Sequence, residues 1–246
     1  MDIMNNRPVR DDDAILIWTR LQVPADLELE AEWPEYFQPL IRAPGHNASA
    51  WSRVQERPDT ILLVTAWLAV SNAREFEASP TAQLYWNNLS CKGIIHISSH
   101  ETLGRSSFWM GPLLESYVQL FWIYFTTPIT EAKMARILKL KGIRPPARGI
   151  DGQTYRNETL QIGPPIKIWA TYTESIQGEE AQLMLWPHLW RNAKNAEWRY
   201  RGKYTLNGNA IVGGKTKVER FSESLEEEGP MEWREEFVDF KPITYV

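Results

Sequence analysis

Residues Thr60 to His100 constrain the fold of this chain more than any other stretch. An apolar run, Ile61-Leu62-Leu63-Val64-Thr65-Ala66-Trp67-Leu68, leads into a helix-like segment with Phe76, Ser79-Pro80, Leu84 and Trp86. A second strand-like run follows, Ile94-Ile95-His96-Ile97-Ser98-Ser99-His100. Short β-branched and apolar runs bounded by turn residues read as strands, and the segment between them as helix. The last run alternates polar with apolar, so one of its faces presents imidazoles and a hydroxyl.

The neighbouring residues extend this unit. Ala14 to Val23 reads as a strand that Pro24 ends. Glu30 to Arg42 reads as a helix with Trp33, Tyr36, Phe37, Leu40 and Ile41 on one stripe, broken or kinked at Pro39. Ala48 to Glu56 and Thr60 to Ala69 form a hairpin about Arg57-Pro58-Asp59. Ser71 caps a helix that runs to Asn88 with a break at Ser79-Pro80, and Gly93 to Thr102 is a strand. The order is β-α-β-β-α-β, the split ferredoxin-like unit.

Residues 103–116 read as a linker, and the plan then recurs. Tyr117 to Thr127 is a strand, Thr130 caps a helix to Lys141, and Arg144 to Pro165 is an irregular insertion. Ile166 to Thr173 and Ala181 to Trp186 form a hairpin about Gln177-Gly178. Pro187 to Arg199 reads as helix, Gly208 to Gly214 as loop, and Lys217 to Ser222 and Trp233 to Phe240 as strands. Trp67 and Trp186 each close a third strand, a weak internal repeat. The fold class expected is α+β, with an N-terminal half at 14–102 and a C-terminal half at 117–240. A split unit leaves one sheet face bare, and two halves can bury those faces as a pseudo-dimeric α+β barrel.

Composition narrows the function classes. The chain has 246 residues, 27 basic and 31 acidic, and a net charge of −4. Phosphate backbones are neutralised by clustered Lys and Arg, so no nucleic-acid partner is expected. Asp11-Asp12-Asp13 reads as a flexible lead-in, and Glu223 with Glu226-Glu227-Glu228 as a solvated loop. The single cysteine, Cys91, fits a reducing compartment and excludes multi-cysteine zinc sites. No apolar run approaches the ~18–20 residues that span a bilayer, and the first residues lack a basic-then-apolar order. The expectation is a soluble, cytoplasmic protein with no membrane partner. Twelve tryptophans suit either a core or the walls of a pocket for bulky, partly apolar ligands.

Strand parity selects candidate site residues, because side chains two apart share a face. His96, Ser98 and His100 fall together, as do Trp18, Arg20 and Gln22. Thr65 and Trp67 fall opposite Leu62, Val64, Ala66 and Leu68. Trp122 and Tyr124 fall opposite Phe121, Ile123 and Phe125. Lys167, Trp169 and Thr171 fall opposite Ile166, Ile168 and Ala170, and the last strand offers Glu235. An imidazole with a pKa of about 6.5 is the natural proton shuttle at neutral pH. The same histidines also read as satisfied structural groups. His96 and His100 lie roughly 13 Å apart along a strand, too far to share one metal, and no metal site is expected.

The order of elements over residues 14–102, and Trp67 through Ser79-Pro80 above all, resembles the dimeric α+β barrel superfamily, nearest to its antibiotic-biosynthesis-monooxygenase type. The appearance is similar to tandem members of fungal secondary-metabolite pathways. The resemblance implies a hydrophobic small-molecule substrate held between sheet and helices and, as in many members, chemistry without metal or organic cofactor; whether the tandem chain forms a homodimer stays open. The function expected is an enzyme of natural-product biosynthesis that cyclises (pericyclically included), isomerises or dehydrates such an intermediate. His96 or His100 would serve as acid or base, with Tyr124 and Arg20 polarising a carbonyl. Trp18, Trp67, Trp122 and Trp169 would form walls, with Thr65 and Ser98 beside the substrate. A cofactor-free monooxygenase on a phenol or enol and a non-catalytic binding or partner protein stay open as alternatives.

Overall fold

The computed structural model describes residues 9–24, 27, 29–104, 106–144, 160–197, 205–206, 209–210 and 215–244. They fall into two units, Met1–Leu114 with Phe240–Val246, and Glu115–Asp239.

The first unit runs β1 (Ile15–Gln22), α1 (Leu29–Tyr36), α2 (Gln38–Ile41), β2 (His46–Val54), β3 (Arg57–Trp67), α3 (Val70–Glu77), α4 (Pro80–Cys91), β4 (Ile95–Leu103) and α5 (Ser106–Leu114). Its strands lie in the order β4-β1-β3-β2, and each neighbouring pair is antiparallel. This is the β-α-β-β-α-β unit read from the sequence.

Details differ for identifiable reasons. The helix expected over Glu30–Arg42 stops at Tyr36 and restarts as α2, because Pro39 lacks an N–H and fits only a first turn. Ser79, not Ser71, carries the side-chain cap: its Oγ accepts from the Ala82 N–H at 3.1 Å. The first N–H groups of α3 instead reach backbone carbonyls, Val70 to Asp13 and Ser71 to Asp11. The acidic lead-in is therefore part of the fold. The stretch expected as a linker forms α5, which packs on β2 and β3 with Met110 and Leu113 buried.

The second unit runs β5 (Tyr117–Thr126), α6 (Glu131–Lys139), β6 (Ile168–Ile176), β7 (Glu179–Trp190), α7 (Ala193–Ala196), the two-residue strands β8 (Thr205–Leu206) and β9 (Asn209–Ala210), α8 (Lys217–Glu226) and β10 (Glu232–Asp239). Its main strands lie in the order β10-β5-β7-β6, again antiparallel throughout. Last, first, third, second is the order of the first unit too. A final short strand, β11 (Lys241–Pro242), adds to β2.

Two expectations fail in this unit. Pro187 does not open a helix, because β7 continues through it to Trp190, pairing with β5 from Ala181 to Trp190. On its other side β7 pairs with β6 only as far as Leu185, so Pro187 lies where no β6 partner needs its missing N–H. Trp190, rather than Trp186, thus closes the third strand. Lys217–Ser222 is helix rather than strand. Thr216 and Glu219 form a reciprocal capping box, and Phe221 and Leu225 bury one stripe. Glu223 and Glu226 belong to this helix, and Glu228 pairs with Arg136 at 2.9 Å. Most of the 144–165 insertion and of the 208–214 loop lies outside the described residues.

Each sheet has a helix-covered face. In the first unit Ile15, Leu21, Trp51, Ile61, Leu63 and Trp67 meet Trp33, Phe37, Leu40, Phe76, Tyr85 and Leu89. In the second, Phe121, Ile123, Phe125, Met184, Trp186 and Trp190 meet Ile137, Phe221 and Leu225.

Candidate active site

Two β-bulges decide which polar groups meet the helix layer of the first unit. In β2, His46 pairs with Trp67 and Ala48 with Ala66, so Asn47 is the extra residue. In β4, Ser98 pairs with Arg20 and His96 with Leu21, so Ile97 is the extra residue. Residues three apart in a regular strand point to opposite faces, but one inserted residue brings them to the same face. The imidazole of His46 thus meets Ser49, with Nε2 to Oγ at 2.7 Å, and that of His96 meets Ser99 at 2.8 Å. The same His-x-x-Ser device occurs twice, beside Trp67 on β3 and beside Thr19 on β1.

Gly45 sets the start of β2. It holds φ of 77°, a left-handed conformation, and a Cβ there would run into the Asn72 side chain. Its carbonyl accepts from Leu68 N–H at 2.9 Å, which fixes His46 against the end of β3. Gly45→Ala is expected to cost about 1–3 kcal/mol, read as a lower urea midpoint. An unchanged midpoint would show that the turn relaxes.

Between the two histidines the rings form a continuous arc. His46 meets Trp67 edge-on at 5.6 Å, Trp67 meets Phe76 at 5.4 Å, and Phe76 meets Tyr85 at 6.2 Å. Tyr85 meets Trp86 at 4.6 Å, and Trp86 meets His96 at 5.1 Å. A branch runs from Tyr85 through Phe37 to Trp33 and Trp51. Tyr85 and Trp33 are each 1% exposed, yet neither the Tyr85 hydroxyl nor the Trp33 indole N–H has a hydrogen-bond partner among the described residues. Buried donors without partners are uncommon and each costs about 1–3 kcal/mol.

The titratable groups are tuned by the same burial. Desolvation lowers His46 from 6.5 to about 4, against a raising hydrogen bond to the Ala48 backbone. His96 is lowered by burial as well, and the nearby Glu77 carboxylate opposes that. Both imidazoles are therefore neutral at pH 7. Burial, with help from Glu77, pushes Tyr85 well above its ordinary value, so it stays a donor. The aromatic layer thus carries two buried donors and has a neutral imidazole at each end.

The residues expected from parity separate into two groups. Thr65 and Trp67 lie on the helix side: Trp67 donates its indole N–H to the Thr65 hydroxyl at 3.0 Å. Trp169 lies on the helix side of the second unit, 5.9 Å from Phe125. Lys167 lies over the Trp186 ring, with Nζ bonded to the Leu138 and Leu140 carbonyls. Glu235 accepts from Gln119 at 2.6 Å on that same side. His96 does not share a face with His100, because the bulge at Ile97 turns it away.

Trp18, Arg20, His100 and Ser98 do come together, on the other face of the first sheet. Trp18 pairs with His100 and Arg20 with Ser98, with Arg20 and His100 each 3% exposed. Trp122 and Tyr124 occupy the corresponding face of the second sheet, where Trp122 pairs with Arg234. The Arg234 guanidinium stands 5.2 Å over the Trp122 ring. A Trp on the first strand opposite a basic residue on the last recurs in both units. Parity missed Tyr85, Trp33, His46, Ser49 and Ser99. The one sequence signal for three of them is the repeated His-x-x-Ser spacing.

Among the described residues no group of three or more His, Cys, Asp or Glu is placed to hold a metal ion, and no helix is long and apolar enough to cross a membrane. No family model matches the chain, and no curated protein matches it. Solved structures do. A protein described as anthrone oxidase-like is similar over 96% of this chain and 95% of its own, at 12% identity and a TM-score of 0.56. A candidate monooxygenase from Lactobacillus acidophilus NCFM is similar over 94% of this chain and 95% of its own, at 7% identity and a TM-score of 0.45. Another from Fusobacterium nucleatum is similar over 94% of both chains, at 9% identity and a TM-score of 0.47. The first likeness, spanning nearly the whole of both chains, shows that this chain has the α+β fold of the dimeric α+β barrel proteins.

Proposed function

We propose that this protein is a cofactor-independent enzyme of natural-product chemistry that acts by proton transfer on a hydrophobic, ring-bearing, enolisable intermediate. The observation that carries this reading is the pair of unpartnered buried donors, Tyr85 Oη and Trp33 Nε1, within the aromatic layer of the first unit. The proton on a carbon conjugated with the substrate carbonyl, beside it or across the ring as in anthrone, passes to the His96 imidazole. The C–H electron pair becomes the enolate double bond, and the carbonyl π pair moves onto oxygen. Tyr85 and Trp33 donate hydrogen bonds to that oxygen, where charge develops. Returning the proton to another carbon isomerises the substrate; expelling a β-hydroxyl as water dehydrates it.

A second reading draws on the name of the fold neighbour. The same carbanion can be oxidised by molecular oxygen, which for a tricyclic anthrone gives the quinone and one water.

Anthrone tests both readings. In D2O the protein is expected to accelerate exchange of the anthrone methylene protons by NMR, and His96→Gln to slow that exchange about 100-fold. Exchange no faster than in buffer would overturn the proton-transfer reading. Oxygen consumption in step with anthrone loss would select the oxidase form.

A further inference from the structure

The two His-x-x-Ser pairs differ in access, and the difference points to a second chemistry. Ser49 is 4% exposed, and its partner His46 has been driven far down by burial. Ser99 is half-buried and its partner His96 lies at the exposed rim of the sheet. Around Ser99 the hydroxyls form a chain: Thr19 Oγ1 lies 3.0 Å from Ser99 Oγ, and Ser99 Oγ lies 2.8 Å from His96 Nε2. When Thr19 donates to Ser99, Ser99 donates to the imidazole. The imidazole is held edge-on by Trp86 at 5.1 Å, and the Trp86 indole N–H is bonded in turn to Glu77 Oε2 at 3.3 Å. A hydroxyl nucleophile, an adjacent base and a group orienting that base are the parts of covalent acyl transfer.

We infer that Ser99 is an acylable nucleophile with His96 as its base, acting on small activated aryl esters. Ser99 Oγ forms the new C–O bond to the acyl carbon while its proton goes to His96 Nε2. The tetrahedral intermediate collapses by breaking the bond to the aryl oxygen, which leaves as aryl oxide and takes the proton from His96. Water, deprotonated by the same imidazole, then releases the acid and restores Ser99. No oxidant or metal enters. The inference stands on the hydroxyl chain of β1 and β4 and is independent of the donors Tyr85 and Trp33, so it can fail while the proposed function survives.

p-Nitrophenyl acetate provides the test on the full chain. A stoichiometric burst of p-nitrophenolate is expected, followed by slow turnover. Mass spectrometry should find one acetyl group on the tryptic peptide Gly93 to Arg105, with fragmentation placing it on Ser99. S99A should abolish the burst, and H96Q should slow it about 100-fold at pH 7. The exposed Cys91 is the competing nucleophile, and C91S should leave the burst unchanged. Circular dichroism and the urea midpoint confirm that each variant is folded. A burst that persists in S99A, vanishes in C91S, or leaves its acetyl on another residue would overturn the assignment, as would no burst at all.

Discussion

Replacing Tyr85 by phenylalanine is expected to leave the fold as stable as before or steadier by about 1 kcal/mol, and to cut anthrone exchange about 100-fold. The two effects have one cause. The ring packs against Phe37, Phe76 and Trp86, and phenylalanine keeps those contacts. The hydroxyl is buried without a partner among the described residues, so the folded state has lost its water hydrogen bonds and gained none from them. Removing it relieves that cost. A substrate enolate would instead use the hydroxyl when charge moves to its oxygen, and an oxyanion donor is worth about 100–1,000-fold in rate. A residue conserving only structure would show the reverse pattern. Urea midpoints and exchange rates, measured on the same preparation, decide: a lower midpoint with unchanged exchange would mean that Tyr85 serves the fold alone.

Most elements were legible because their signals are local. β1, β5 and α6 lie where alternation and the Thr130 cap place them, and Thr130 Oγ1 does accept from Lys133 N–H at 3.2 Å. The direction of side chains was not legible to the same degree. Period-two parity assumes a regular strand, and one extra residue at Ile97 reverses it for His96 while leaving Ser98 and His100 in place. Trp67 and Thr65 lie on the helix side of the first sheet. Their parity was read correctly, but both sheet faces are buried, so an apolar row at Leu62, Val64 and Ala66 did not mark the helix side. Lys217 to Ser222 was read as strand over six residues, too few to reveal that Phe221 and Leu225 repeat at helical spacing. Tyr85 carries no sequence signal at all, because its importance rests on what its hydroxyl does not touch.

Acid should weaken this protein well before its carboxylates titrate, and two histidines explain why. His188 is fully buried: Nε2 accepts from the Ile143 N–H at 2.9 Å, and Nδ1 lies 3.1 Å from the Trp186 carbonyl. Desolvation lowers it to about 3, and the nearby Arg144 and Lys167 charges add to the shift against a raising bond to the Trp186 backbone. His46 is lowered to about 4 by burial. In the unfolded chain both take up protons near pH 6.5, whereas the folded chain excludes them until far lower pH. The unfolded state therefore binds more protons throughout the interval below 6.5, and stability rises with pH there. Read downward, the contribution is whole above about pH 6.5 and falls until pH 4 for His46 and pH 3 for His188. Each proton is worth about 1.4 kcal/mol per pH unit, so over the two units from 6.5 the pair removes on the order of 5 kcal/mol by pH 4.5. Glu180 and Glu219 are held below their ordinary 4.5, and their loss comes only at lower pH, outside this interval. His188→Gln keeps an acceptor near Ile143 but cannot titrate. Its urea midpoints should start lower at pH 7.5 and then fall with pH about half as steeply as wild type. A wild-type midpoint that stays level from pH 7 to 4.5 would mean that both imidazoles charge freely in the fold, and the buried bonds of His188 could not then be as described.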